Sequence, residues 1–287
     1  MEIKCNGKKL TLGKKTLIMG ILNVTPDSFS DGGKFNESSL ALKHAKKMVK
    51  EGADIIDIGG ESTRPGAPKI SVKEELERVI PILKLLRDKL DVLISVDTSK
   101  AEVAKKALEN GANIINDVWG FQRQPEIAKH IAKYDALAIA MHNKQKKSLT
   151  KHNLRDIEYE KDIMEEIKDF FKVTFDIAKS EGLSKEKIIL DPGIGFGKKA
   201  KESIEVMSRL EELKDLDCPL LLGTSRKSFI GKILGLDTHQ RLEGTLATNI
   251  IGAIKGYDIV RVHDVLEHKR ALTVTDKIMK RGNNESV

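Results

Sequence analysis

Eight short apolar runs, each followed by a longer polar-apolar stretch, constrain this 287-residue chain more than any other feature. The runs cover residues 17–22, 54–58, 92–96, 113–116, 136–141, 187–190, 219–223 and 258–262. They are rich in Ile, Val and Leu with little polar alternation, the pattern of strands buried on both faces of a parallel sheet. Residues 38–51, 71–89, 100–110 and 158–181 read as helices between them. Gly52, Gly111 and Gly182 stand just past three of these, where a left-handed residue ends a helix. Pro81 is expected to kink the second helix. Eight βα units in this length close as a (β/α)8 TIM barrel, an α/β fold in a single domain over residues 1–287. Residues 1–16 are expected to form an N-terminal hairpin extension, with residues 7–15 as its body. An open doubly wound sheet is the alternative, but it gathers its site at one switch point.

Composition narrows the function. The net charge of +7 invites a nucleic-acid reading, yet the basic residues are spread along the helical stretches and aromatics are only 4%. A polyanion binder concentrates its cations and interleaves stacking rings, so no nucleic-acid partner is expected. No apolar run approaches the roughly 18 residues that cross a bilayer, so no membrane partner is expected either. Cys5 and Cys218 lack metal-ligand spacing and the opening residues carry no apolar leader. A reduced, cytoplasmic location follows as an expectation.

The chemistry gathers where the strands end. The first strand runs into Asn23 and the second into Gly59-Gly60-Glu61. The third ends in Asp97-Thr98-Ser99, the fourth in Asn116-Asp117 and the sixth in Asp191-Pro192-Gly193. Ser225-Arg226-Lys227-Ser228 follows the seventh, and Arg261-Val262-His263-Asp264 closes the eighth. In a barrel these positions ring one rim, where active sites lie. Each has a plainer reading: Asp97 to Ser99 as a helix cap, Asn116 as a turn residue, Gly193 to Gly197 as a loop. Arg261 reads equally as a surface ion pair and His263 as a core histidine. Caps alone do not put charged or amide groups on so many separate strand ends.

The residue types suit a particular ligand. Ser225 to Ser228 opens a helix, whose first amides attract anions, and Arg261 and His263 share strand parity. Asp97, Asp191 and Asn116 suit a flat heterocycle carrying N–H donors. Residues 193–199 fail both the Walker A and the G-x-G-x-x-G patterns, and there is no H-E-x-x-H or G-x-S-x-G.

These motifs resemble the dihydropteroate synthase family in order and over almost the whole chain. Gly20-Ile21-Leu22-Asn23-Val24-Thr25-Pro26-Asp27-Ser28-Phe29-Ser30-Asp31-Gly32-Gly33 is similar to its first signature. Gly59-Gly60-Glu61-Ser62-Thr63-Arg64-Pro65-Gly66 is similar to its second. The resemblance implies condensation of a dihydropterin methyl diphosphate with 4-aminobenzoate to dihydropteroate and diphosphate in folate synthesis, in a class targeted by sulfonamides. It implies Asp31, Asp97, Asp191 and Lys227 as catalytic residues. The pterin would lie among Asp97, Asn116, Met141, Asp191 and Lys227. Asn23, Arg261 and His263 would hold the diphosphate, Asn23 also through Mg2+. Thr63, Arg64, Pro65, Phe196, Lys227 and Ser228 would shape the aminobenzoate site.

The resemblance also implies a homodimer. Residues 242–254 carry apolar side chains on more than one face, although a fully covered helix explains that equally well. After Met141 the chain departs from the family pattern, reading His142-Asn143-Lys144-Gln145. Two other functions compete. A pterin-binding methyltransferase using methyltetrahydrofolate shares the Asp and Asn residues but has no use for a diphosphate clamp. A catalytically silent barrel would be expected to lose Asn23 or Lys227.

Overall fold

The computed structural model describes residues 1–24, 33–62, 67–144 and 159–282, with backbone alone for residues 33–37. Two short strands, β1 (Glu2–Cys5) and β2 (Lys8–Thr11), precede β3 (Leu17–Asn23) and α1 (Gly33–Glu51). The chain continues through β4 (Ile55–Gly59), α2 (Val72–Lys89), β5 (Leu93–Asp97), α3 (Ala101–Glu109), β6 (Ile114–Asp117) and α4 (Glu126–Lys133). Next come β7 (Leu137–Met141), α5 (Ile163–Ser180), β8 (Ile188–Asp191), α6 (Ala200–Ser208), β9 (Leu221–Leu222) and α7 (Ser228–Leu234). The last elements are α8 (Leu242–Ile254), β10 (Ile259–Val262) and α9 (Val265–Ile278).

β3 to β10 form one eight-stranded sheet in the order β8-β7-β6-β5-β4-β3-β10-β9. Every pairing within it is parallel. A bridge between Leu190 and Leu220 joins its two edges, with the Leu190 amide donating to the Pro219 carbonyl at 2.9 Å. The sheet is thus a barrel rather than an open array, as the spread of polar strand ends implied.

Alternation along each strand divides the apolar residues into two cores. One faces outward, where Ile56, Ile58, Ile94, Val96, Ile115 and their neighbours meet the helices. The other fills the barrel, where Leu17, Met19, Ile55, Leu93, Ile114, Leu137, Ile139, Ile189, Leu221 and Ile259 converge. The same inner cluster takes in Ile3, Cys5, Leu10 and Leu12, so the hairpin is a stopper in the barrel's lower end.

The hairpin lies earlier than the sequence reading put it. β1 and β2 pair antiparallel from Glu2↔Thr11 to Cys5↔Lys8 around Asn6-Gly7. Both turn residues have positive φ, 42° and 79°, which is why an Asn-Gly pair closes so tight a hairpin. Buried Asn113 secures it: its Nδ2 donates to the Cys5 and Asn6 carbonyls at 3.1 and 3.2 Å, while its Oδ1 accepts from the Ile94 amide at 3.0 Å.

Helix ends differ in similar detail. Gly52, Gly111 and Gly182 take positive φ as expected. α5 starts at Ile163, later than residue 158, because Asp162 caps it by accepting from the Met164 and Glu165 amides. α1 starts at Gly33, earlier than residue 38. Pro81 lies inside α2, which continues through it to Lys89.

Leu10 is 1% exposed in the stopper, at the end of the barrel opposite the strand C-termini. Leu10→Ala should cost about 2–5 kcal/mol in urea unfolding through the cavity left behind. Its kcat/KM should stay within about twofold of the parent, because the cavity lies far from the rim.

Candidate active site

The barrel mouth is built by register. Asn23, Gly59, Asp97 and Asn116 are consecutive pairing partners on β3, β4, β5 and β6, and so lie at one level near the strand ends. Met141 and Asp191 pair likewise on β7 and β8. Asp97, Asn116, Met141 and Asp191 are all buried, and each shares parity with the inner-core residue of its own strand (Leu93, Ile114, Ile139 and Ile189), which turns it toward the barrel axis.

Arg261 rises into this ring from below. On β10 it pairs with Met19, at the level of the apolar inner core, and its side chain extends to two carboxylates. Nε donates to Asp57 Oδ2 at 2.7 Å and Nη2 donates to Asp97 Oδ2 at 2.9 Å. Asn116 Nδ2 donates to the same Asp57 oxygen at 3.2 Å. Asp57 therefore holds two of the expected site residues at once, itself fully buried on β4. Its other oxygen, Oδ1, has no hydrogen-bond partner among the described residues. Burial pushes the Asp97 carboxyl up to about 7, and the Asp57 charge adds to that against the pull of Arg261.

Across the mouth, Asp191 ends β8 and its Oδ1 accepts from the Gly193 amide at 2.8 Å. Burial raises its pKa, while that amide, Lys227 and Arg261 act to lower it. Only glycine fits at 193. Its φ is +66°, and a Cβ there would stand 2.0 Å from the His142 carbonyl oxygen. Met141 Cγ would lie 3.2 Å from the same Cβ, so this side chain packs against the turn.

Lys227 lies just before α7, with its ammonium 4.0 Å from the centre of the Phe196 ring. Burial pulls its pKa down to about 8, against the opposing charge of Asp191. Ser228, the first residue of α7, is exposed beside it. His263 and Ser225 are tied together: the His263 amide donates to Ser225 Oγ at 3.2 Å, and Oγ lies 2.9 Å from Nδ1. Arg226 turns away to a two-point pair with Asp264 and holds positive φ at 57°.

The structure thus brings Asn23, Asp97, Asn116, Met141, Asp191, Phe196, Lys227, Ser228, Arg261 and His263 to one rim. Asp31, Thr63, Arg64 and Pro65 lie outside the described residues. Three buried groups escaped the sequence reading. Asp57 is the single charge inside the run Ile55-Ile56-Asp57-Ile58, and its parity with Gly59 was the available signal. Lys198 and His142 meet across the mouth, Nζ 2.7 Å from Nδ1, and no local pattern links residues so far apart in sequence. At the stem leading to residues 63–66, Lys100 bridges Glu61 and buried Glu75, and Arg78 donates to the Gly60 carbonyl at 2.9 Å.

An aspartate whose folded pKa is raised keeps a proton that the unfolded chain has already lost. Asp97 therefore subtracts stability as pH rises from the unfolded value, about 4, toward about 7. Asp57→Asn removes one charge that raises it. The variant should lose less stability than the parent between about pH 5 and about pH 7, read from urea midpoints across that window. Parallel pH profiles for the two proteins would refute the coupling.

The pterin binding enzyme family matches residues 19–263. The chain is 51% identical to the dihydropteroate synthase of Clostridium beijerinckii over 280 residues, covering 97% of this chain and 100% of that protein. A crystal structure of dihydropteroate synthase from Clostridium difficile, in the presence of pteroic acid, superposes with a TM-score of 0.88. That pair shares 56% identity and covers 94% of this chain and 98% of the other. The Xanthomonas albilineans dihydropteroate synthase with 4-aminobenzoic acid superposes equally, with TM-score 0.88, at 37% identity over 97% of this chain and 98% of that one.

Proposed function

This chain belongs to the pterin binding enzyme family, and we propose that its barrel mouth performs the dihydropteroate synthase reaction with the residues assembled there. The enzyme condenses 6-hydroxymethyl-7,8-dihydropterin diphosphate with 4-aminobenzoate, releasing 7,8-dihydropteroate and diphosphate for folate synthesis. The observation that carries the residue assignment is the ring of Asp97, Asn116 and Asp191 at one rim, with Lys227 above Phe196.

The pterin takes the deepest position. Its ring N–H groups donate to Asp191 and Asp97, Asn116 reads its edge and Met141 packs beside it. Asn23, Arg261 and His263 face the diphosphate side, where positive charge favours departure of the leaving group, and Lys227 lies between the pterin and the aminobenzoate. As the C–O bond to the diphosphate breaks, the pterin methylene becomes electron-poor, and the two carboxylates beneath the ring stabilise the developing positive charge. The amine of 4-aminobenzoate, lying along Phe196 and Ser228, attacks that carbon, forms the C–N bond and then sheds its extra proton. No protein nucleophile is needed.

Mg2+ fits this rim as a companion of the diphosphate. No cluster of three or more His, Cys, Asp or Glu side chains able to cage a metal occurs among the described residues. Asn23 instead offers one hard amide oxygen at the end of β3, 3.5 Å from where a Cβ on Gly59 would stand. Mg2+ is commonly held by one or two protein oxygens, waters and substrate phosphates. When bound, it would neutralise charge on the departing diphosphate. Asp31, Thr63, Arg64 and Pro65 complete the catalytic and aminobenzoate groups in this reading.

A homodimer is the assembly this reading favours. Ile251 and Ile254 on α8 are 43% and 51% exposed, and Ile233 on neighbouring α7 is 60% exposed. Such a patch argues against a fully covered helix and suits a second copy of the chain. A cytoplasmic setting suits the two free thiols, Cys5 and Cys218. Among the described residues no helix is long and apolar enough to cross a membrane.

Detection of dihydropteroate from the two substrates tests the function, and omission of Mg2+ should suppress it. In a folded Asp191→Asn variant, pterin binding by calorimetry should weaken by about 2–4 kcal/mol with the loss of a charge-assisted contact. Unchanged affinity would remove Asp191 from the pterin site. Light scattering at micromolar protein should give twice the chain mass, and a monomer mass would reject the dimer.

A further inference from the structure

The turn after β8 carries both ends of the site, Asp191 at its start and Phe196 at its tip, and its own sequence supplies little to fix it. Residues 192–197 read Pro-Gly-Ile-Gly-Phe-Gly, with Gly193, Gly195 and Gly197 all at positive φ. Such a stretch loses much conformational freedom on ordering and needs outside support to hold one shape. One backbone bond lies within it, from the Phe196 amide to the Gly193 carbonyl at 3.0 Å.

Ile194 is fully buried and Tyr159 Oη donates to the Gly197 carbonyl at 3.2 Å, but the support that reaches both Gly193 and Phe196 is Lys198. Its side chain folds back under the turn and is 7% exposed. Nζ donates to the Gly193 carbonyl at 3.0 Å and makes a longer contact with the Phe196 carbonyl at 3.4 Å. Its third neighbour is His142 Nδ1 at 2.7 Å. An ammonium has three protons, and each finds an acceptor here. His142 is itself immobile: it is 2% exposed, its amide donates to the Asp191 carbonyl at 2.9 Å, and its ring meets Phe170 edge-on at 4.9 Å. The lysine therefore ties both ends of a glycine turn to the end of β7. None of the ion pairs among the described residues includes Lys198. Burial without such a partner pulls its pKa down to about 7.

We propose that Lys198 is a positioning residue for aminobenzoate: by binding the Gly193 and Phe196 carbonyls and His142 together, it fixes the Phe196 ring against Lys227. The ammonium acts from beneath the turn, while Phe196 and Lys227 present the surface that the amine substrate meets. Asp191 belongs to β8 and is held by the sheet, meeting the turn through the Gly193 amide alone, so the pterin pocket depends on this tie less than the Phe196 ring does. Loosening the turn lets the ring drift, and a small misplacement of a substrate-positioning group is enough to weaken its use.

The inference rests on the dihydropteroate synthase reading, and turnover by the parent enzyme tests that reading separately. Lys198→Met keeps the length and apolar stem of the side chain and removes its donors. In a folded Lys198→Met enzyme, the KM for 4-aminobenzoate should rise by about tenfold or more, while pterin affinity by calorimetry stays within about threefold. His142→Leu, which removes one of the three acceptors without touching the turn, should shift the same KM in the same direction. An unchanged aminobenzoate KM in folded Lys198→Met would overturn the proposal. Equal losses for pterin and aminobenzoate would also overturn it, placing the lysine in the pterin pocket. If neither variant folds, the lysine serves the fold alone, and the proposal fails on that result as well.

Discussion

A guanidinium enclosed in a barrel is tolerable only if carboxylates enclose it too. Arg261 starts from the apolar layer of Met19, and its charge comes to lie between Asp57 and Asp97. Two negative charges against one positive leave the cluster short of a cation, and burial keeps the balance local. Asp97 answers by rising toward neutrality. The mouth is therefore poised rather than fully neutralised. A ligand ring that brings N–H donors supplies the positive polarity these carboxylates lack. Among the described residues, the hydrogen bonds of the Asp57 side chain all lie within this cluster. Its Oδ2 aligns Arg261 and Asn116, and that is why a charged residue persists in the middle of a strand otherwise made of Ile.

Most of the fold was legible because its signal is repetitive. Eight continuous apolar runs can be buried on both faces only in a parallel sheet, and their bounds were out by a residue or two at most of the ends. The ends of helices were less legible. Asp162 as a cap and Gly33 as a start are decided by a few local hydrogen bonds, not by periodicity. The hairpin was misplaced because its strands are only four residues each, too short to show alternation. Asn6-Gly7 was the stronger clue. The site divides in the same way. Residues at strand ends, such as Asp97, Asn116 and Asp191, could be picked out by position. His142 and Lys198 could not, because their meeting joins residues far apart in the chain, and Asp57 showed only as one charge inside an Ile run.

Rigidity is unevenly distributed around the rim. Strand-borne groups, including Asn23, Asp97 and Asp191, inherit their positions from the sheet. Groups on turns depend on ties brought from elsewhere, and several of these ties are buried or half-buried cations. Lys100 joins Glu61 to Glu75, Arg78 holds the Gly60 carbonyl, and Arg226 joins the β9 turn to Asp264 after β10. The positive balance of the composition is thus partly spent on carbonyls and carboxylates of the rim itself. What is left for a substrate anion is a smaller, directed set.

The stopper formed by Ile3, Cys5, Leu10 and Leu12 turns the barrel into a blind well. Whatever enters must leave by the same opening, so traffic through the site is a stack and not a flow. The molecule that lies deepest has to arrive first, and it cannot depart until the one above it has been dealt with. A condensation suits such a dead end, because joining the upper guest to the lower one makes a handle by which the buried ring is drawn out. In the proposed arrangement, the small fragment cleaved away lies at the lip and has the shortest way home.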